Sequence, residues 1–181
     1  MSIKKIIAVA AVATVGLGTL PAYAKTVKVT LHATETMVQI DNKGTEYPAW
    51  TFGGTIPGPL VRVKEGDTVE FTLINDKESK NSHAIDFHAA QVDVLGEFAP
   101  IKPGETKKFT FVPKYPGVFM YHCGAMPMQQ HIARGMYGAI IVDPKEGYSK
   151  DYPKPDREYV LVQGQYFPNA DDDKGMLVNN G

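Results

Sequence analysis

Cysteine is almost missing from this chain: Cys123 is the only one among 181 residues. A single thiol excludes an internal disulfide framework and any zinc knuckle built from cysteine pairs. An excess of one charge is missing too. Nineteen Lys and Arg face 20 Asp and Glu, a formal net charge of −1 with no extended basic run, which leaves a nucleic-acid partner without its electrostatic footprint. There is no Gly-x-Ser-x-Gly elbow, phosphate-binding glycine loop or dinucleotide fingerprint, so the chemistries those motifs carry are excluded. Internal repeats and low-complexity tracts are absent, and no long helical hydrophobic period follows the first 24 residues. What is present is 43% hydrophobic and 22% charged, the composition of a globular protein rather than a disordered one, in a length that suits one domain.

The first 24 residues have the three-part pattern of a secretory signal peptide. Lys4 and Lys5 precede an apolar stretch from Ile6 to Leu20, Pro21 breaks it, and Ala22-Tyr23-Ala24 is a small-x-small cleavage site. The stretch is shorter than the ~20 residues of a membrane span, and no cysteine follows to carry a lipid. Cleavage after Ala24, no membrane anchor and a periplasmic destination are therefore expected. An exported lone cysteine is a liability unless something binds it.

Strand-length patterns follow. Val27, Val29 and Leu31 alternate with Lys28 and Thr30, as do Val69, Phe71 and Leu73 with Thr68, Glu70 and Thr72, and Phe109 and Phe111 with Lys108 and Thr110. Alternation of this kind is the period of a half-buried strand. Apolar runs at Leu60–Val63, Val118–Tyr121, Tyr137–Val142 and Tyr159–Val162 are separated by turn signals such as Pro57-Gly58-Pro59, Glu65-Gly66-Asp67 and Tyr115-Pro116-Gly117. The pattern predicts an all-β fold, an antiparallel Greek-key β-sandwich, with at most a short helix over Pro127 to Ala133. The charged residues from Lys77 to Lys80 read as a solvated hairpin end. The domain is expected over 25–143. Residues 144–157 are charged and proline-bearing and read as a linker, after which Glu158 to Phe167 forms one more strand-like run. Residues 144–181 are thus expected to hold the linker and the start of a second domain.

The five histidines, His32, His83, His88, His122 and His131, carry the functional information. His32 falls on the polar side of its strand and reads as a solvated surface residue. Cys123, His131 and Met136 are closely spaced on a loop between two strand runs, and His83 can supply a fourth ligand from upstream. Two imidazoles, a thiolate and a thioether form the ligand set of a blue-copper electron-transfer site. Taken singly, Cys123 and Met136 would pass for core filler. Strand parity separates a second site, because neighbours in a strand point to opposite faces, as do residues five apart. His122 therefore looks away from Cys123, and His88 away from His83, provided no bulge intervenes. His88 and His122 then share a side, joined by Asp86. Two imidazoles with a carboxylate and no sulfur suit a catalytic metal with open positions.

Thr51-Phe52-Gly53-Gly54-Thr55-Ile56-Pro57-Gly58-Pro59, His83-Ala84-Ile85-Asp86-Phe87-His88, Tyr121-His122-Cys123 and His131-Ile132-Ala133-Arg134-Gly135-Met136-Tyr137-Gly138 resemble copper-containing nitrite reductases of the cupredoxin superfamily. The resemblance runs from about Lys25 to the C-terminus. The Thr-x-Pro-Gly-Pro turn is shared with other multicopper oxidases, whereas His-x4-His followed by His-Cys-x7-His-x4-Met is specific, laccases carrying His-x-His pairs instead. The Cys123–His131 spacing resembles the subgroup with the shorter loop. The resemblance implies type 1 copper on His83, Cys123, His131 and Met136 and type 2 copper on His88 and His122. It also implies Asp86 as the active-site carboxylate that holds nitrite and relays protons, and one-electron reduction of nitrite to nitric oxide. The electron would pass through the Cys123–His122 link, from a cupredoxin or cytochrome c donor, in a homotrimer. Further type 2 histidines come from the second domain in that family, and no histidine follows His131 here. The sequence is accordingly expected to be part of a longer enzyme. A single-domain cupredoxin that only carries electrons is the alternative, and a laccase-like multicopper oxidase a third reading.

Overall fold

The computed structural model describes residues 24–151 and 153–167. The expected signal peptide, Tyr152 and everything from residue 168 lie outside the described residues. Among those described, the chain forms β1 (Thr26–Gln39), β2 (Glu46–Phe52), β3 (Val61–Lys64), β4 (Thr68–Asn75), β5 (Asp86–Phe87), β6 (Thr106–Phe111), β7 (Gly117–His122), a short helix α1 (Met128–Ala133) and β8 (Tyr137–Asp143). No helix among them is long and apolar enough to cross a membrane.

The strands make two four-stranded sheets, ordered β2-β1-β4-β6 and β3-β8-β7-β5. Their facing sides bury the alternating residues of the sequence: Leu31 and Ala33 of β1, Val69, Phe71 and Leu73 of β4, Phe109 and Phe111 of β6, and Tyr121, Ile140 and Val142 from β7 and β8. Aromatic rings bridge the sheets, Phe71 against Phe87 at 4.9 Å and Phe87 against Phe111 at 5.3 Å, while Phe87 also packs on its ladder partner Tyr121 at 5.3 Å. Burial of each such ring contributes about 1.5–3 kcal/mol, which makes the sandwich the dominant source of stability. At the β3–β4 turn, Gly66 takes φ +83°, and the buried Asp67 carboxylate accepts the N–H groups of Lys64 and Lys25 at 3.0 and 3.1 Å.

The all-β sandwich agrees with the strand periodicity, and α1 occupies the expected helical stretch. Three details differ. The sheets are mixed rather than antiparallel, since β1 runs parallel to β4 and β3 parallel to β8; period-2 alternation fixes which face is buried but not the direction of a neighbour. Strand β2 had no clean alternation, because Tyr47 and Ala49 are buried against Val38, Ile56 and Ala133 while Phe52 enters the main core. Pro48 is accommodated there because β2 is an edge strand. The run from Glu158 to Phe167 forms no strand among the described residues. It lies without a ladder partner among the described residues and is mostly exposed, and a strand exists only by pairing. Arg62 ties the start of this run to the domain through hydrogen bonds to Asp143, at 2.7 and 2.8 Å, and to Glu158.

Candidate metal centres

The two clusters arise from the parity of β7. Phe119 and Tyr121 pack into the core, whereas Val118 and Met120 are exposed on the outer face. Cys123 continues the inward parity and is fully buried; His122 continues the outward one. Across the sheet, Asp86 of β5 pairs with His122 and Phe87 with Tyr121. His88 then returns to the side of Asp86, its N–H donating to the Met120 carbonyl at 3.1 Å.

The first cluster is His83, Cys123 and His131, all buried, with their donor atoms within 4.8 Å of one another. His131 Nδ1 lies 3.2 Å from Cys123 Sγ and 3.2 Å from His83 Nδ1. His83 is held outside the regular ladder by a bridge to Ile101, with N–H···O bonds of 3.0 and 2.8 Å. Cys123 directly follows the end of β7, and His131 sits in the last turn of α1. Gly135, at φ +116°, then reverses the chain close beneath the β2 backbone; a Cβ there would stand 3.1 Å from the Trp50 carbonyl. Met136 is fully buried, its carbonyl accepting the Cys123 N–H at 3.0 Å and its own N–H donating to the His131 carbonyl at 3.1 Å. The loop that carries Cys123, His131 and Met136 is thereby closed on itself.

Burial pushes the Cys123 thiol up to about 11, against hydrogen bonds from the Ala84 and Ala125 N–H groups that pull it down. Burial, with the neighbouring His83, pulls His131 down to about 4, opposed by Glu35. His83 is also lowered by burial, with Glu35 opposing. Neutral imidazoles and a thiol that gives up its proton only to a strong competitor are the groups a soft metal displaces protons from. The spacing fits as well: two ligands about 2.0 Å from one tetrahedral ion stand ~3.3 Å apart.

The second cluster is Asp86, His88 and His122, again with donor atoms within 4.8 Å. His88 Nε2 and His122 Nε2 are 3.1 Å apart. His122 Nδ1 lies 3.1 Å from the carbonyl of Cys123, and a carbonyl only accepts. Nδ1 therefore holds the proton and Nε2 keeps a lone pair facing His88. This cluster has no sulfur and is more open, with His88 exposed and Asp86 half-buried.

The structure thus brings together His83, Cys123 and His131, and separately Asp86, His88 and His122, with Met136 buried and hydrogen-bonded through its backbone to Cys123 and His131, although the ladder through this stretch covers only Asp86 and Phe87 rather than the whole of 83–88. His32 is half exposed, as expected, and its Nδ1 pairs with Asp76 at 2.8 Å. Lys77 and Glu78 are solvated, but no hairpin lies there: the segment leads from one sheet into the other, and the Lys80 N–H donates to Glu35 at 3.0 Å. Two residues beside the first cluster were not anticipated. Glu35 Oε1 lies 3.1 Å from His83 Nε2, and the Trp50 ring stands edge-on to His83 and His131, at 5.7 and 4.7 Å. Glu35 was detectable as a carboxylate on the inward parity of Leu31 and Ala33, and Trp50 as the chain's one tryptophan.

Comparison with known proteins places these features in context. The multicopper oxidase family profile matches residues 32–147. A copper-containing nitrite reductase of Neisseria meningitidis serogroup A is 43% identical over 146 residues, which cover 80% of this chain and 36% of that protein. The Alcaligenes faecalis copper-containing nitrite reductase is 40% identical over 164 residues, 83% of this chain and 42% of that one. Among solved structures, copper nitrite reductase from Nitrosomonas europaea is 66% identical with a TM-score of 0.80, covering 85% of this chain and 53% of that one. The chain spans little more than a third of the length of the Neisseria relative.

Proposed function

This chain belongs to the multicopper oxidase family, and on that premise we propose that it is the copper-bearing first domain of a nitric-oxide-forming nitrite reductase. The observation that carries the reading is the pair of clusters reached from adjacent residues, sulfur-containing through Cys123 and sulfur-free through His122. An electron carrier has no use for the second. In this reading His83, Cys123, His131 and Met136 hold the type 1 ion, and His88 and His122 hold the type 2 ion. Copper supplies one-electron transfer at the thiolate centre and an open Lewis-acidic position at the imidazole centre.

The chain's own residues supply the rest. Nitrite takes up one electron and two protons and leaves as nitric oxide and water. Asp86, beside His88 and His122 on the open side of the sheet, is placed to hold a proton against a nitrite oxygen and release it as the N–O bond breaks. The Cys123–His122 peptide unit is the short covalent path between the centres. Burial of the first cluster keeps water from the thiolate. Remaining imidazoles of the open centre come, in this reading, from a second domain in a neighbouring subunit of a homotrimer. Export to the periplasm, an electron-donor protein of the cupredoxin or cytochrome c kind and a role in denitrification complete the proposal.

The test is copper stoichiometry with electron paramagnetic resonance on the full-length protein, together with nitrite turnover. Two copper signals of different hyperfine splitting are expected. Cys123→Ser removes the visible absorption and one signal, His88→Ala removes the other, and both abolish nitric oxide formation. One copper per chain, with spectra indifferent to His88→Ala, would identify an electron carrier instead.

A further inference from the structure

His83 offers its two ring nitrogens to different partners. Nδ1 faces His131 Nδ1 at 3.2 Å within the sulfur-containing cluster, while Nε2 faces Glu35 Oε1 at 3.1 Å. A carboxylate oxygen accepts and cannot donate, so in the neutral ring Nε2 carries the proton and Nδ1 is left with a lone pair aimed into the cluster. Glu35 does not depend on His83 for its position. The same oxygen accepts the Lys80 N–H at 3.0 Å, the Asn81 N–H at 2.9 Å and Asn81 Nδ2 at 3.0 Å. Glu35 also stands directly opposite Trp50 across the β1–β2 ladder, and the Trp50 ring abuts both histidines. The outer strand pair of one sheet therefore braces imidazoles carried by the segment before β5 and by α1, between strands of the other.

A carboxylate on the inward parity of a strand loses hydration, and that loss must be offset by hydrogen bonds. Three donors from residues 80 and 81 provide much of the offset, and His83 is the fourth donor converging on the same oxygen. Charge sharing with an imidazole N–H fixes the tautomer and raises the basicity of the opposite nitrogen. We propose that Glu35 is a positioning residue for the thiolate copper centre, acting through His83 to hold Nδ1 in the ligating orientation and to favour copper(II) over copper(I). The inference rests on the reading of that cluster as the type 1 centre.

Glu35→Gln separates charge from shape, since its carbonyl oxygen can still accept from the three N–H donors and from His83. In the copper-loaded full-length protein, the variant is expected to bind copper(II) about tenfold more weakly relative to copper(I). For a one-electron couple that raises the midpoint potential by about 59 mV, measured by spectroelectrochemical titration of the visible band. An unchanged potential in folded Glu35→Gln overturns the role. Should that variant fail to fold, Asn81→Ala decides: loss of a competing donor strengthens the bond to His83 and lowers the potential, and no fall overturns the proposal. If the unmodified copper-loaded protein lacks the sulfur-to-copper band altogether, the reading of the centre is what fails. If the band is present, only the role of Glu35 is at stake.

Discussion

Gly138 is opposite Tyr121 across the β7–β8 ladder, and the tyrosine ring lies over it. A Cβ on Gly138 would meet Tyr121 Cζ and the hydroxyl oxygen at 2.3 Å. The ring cannot step aside, because it is fully buried between Phe52 and Phe87, at 5.6 and 5.3 Å. Its hydroxyl also donates to the Pro59 carbonyl at 2.6 Å. Gly138→Ala should therefore destabilise in two ways, by about 1–3 kcal/mol of overpacking and about 1–3 kcal/mol from a buried hydrogen bond left unmade. A stiffer unfolded chain offsets about 0.4–1 kcal/mol. The net loss centres near ~3 kcal/mol, a fall of about 10 °C in melting temperature for a domain of this size. Because Tyr121 immediately precedes His122 and Cys123, the visible absorption of the copper-loaded protein should shift as well. Urea unfolding of the wild type, Gly138→Ala, Tyr121→Ala and the double variant measures the coupling. With the ring gone, alanine at 138 should be neutral or mildly stabilising. An equal loss from Gly138→Ala in both backgrounds would refute the steric account.

Asp86→Asn keeps the shape of the open centre but removes its proton carrier, so nitrite turnover should fall about 10²- to 10⁴-fold while the visible band stays in place; undiminished turnover would end the role given to Asp86. Arg62 holds the Asp143 carboxyl below its ordinary value through their hydrogen bonds, against a smaller opposing effect of burial. A depressed folded pKa means stability that is present above the unfolded value near ~3.9 and lost as pH falls through the folded one. Arg62→Ala should then weaken the domain at pH 7 and have less effect once Asp143 is protonated in both states. With the two side chains 39% and 32% exposed, solvent screening limits the effect to about 1 kcal/mol or less, readable as a difference in urea midpoints; equal destabilisation at acid and neutral pH would contradict it. Glu35→Gln tests the brace on His83 in the same copper-loaded protein.

Alternation in the sequence determined the inward faces of β1, β4 and β6, and with them an all-β sandwich. It also determined that His122 and Cys123 face apart, since that follows from the geometry of any extended chain. The likeness of 83–88 and 121–138 to a copper-binding family was legible for the same reason: ligands close in sequence on one loop announce themselves by spacing. The tertiary structure alone decided what depends on partners distant in sequence. The parallel pairing of β1 with β4 was one such matter, and the double burial of β2 another. The exposed run at 158–167 has every local mark of a strand, but a strand forms only against a neighbour, and none pairs with it among the described residues. Glu35 and Trp50 belong to this class as well. Glu35 lies 48 residues before His83, Trp50 stands on the neighbouring strand, both in the sheet opposite, and no local pattern ties them to the metal cluster. Propensity and periodicity act between near neighbours, whereas a carboxylate reaching a particular ring nitrogen requires two sheets packed at one register, which exists only after folding.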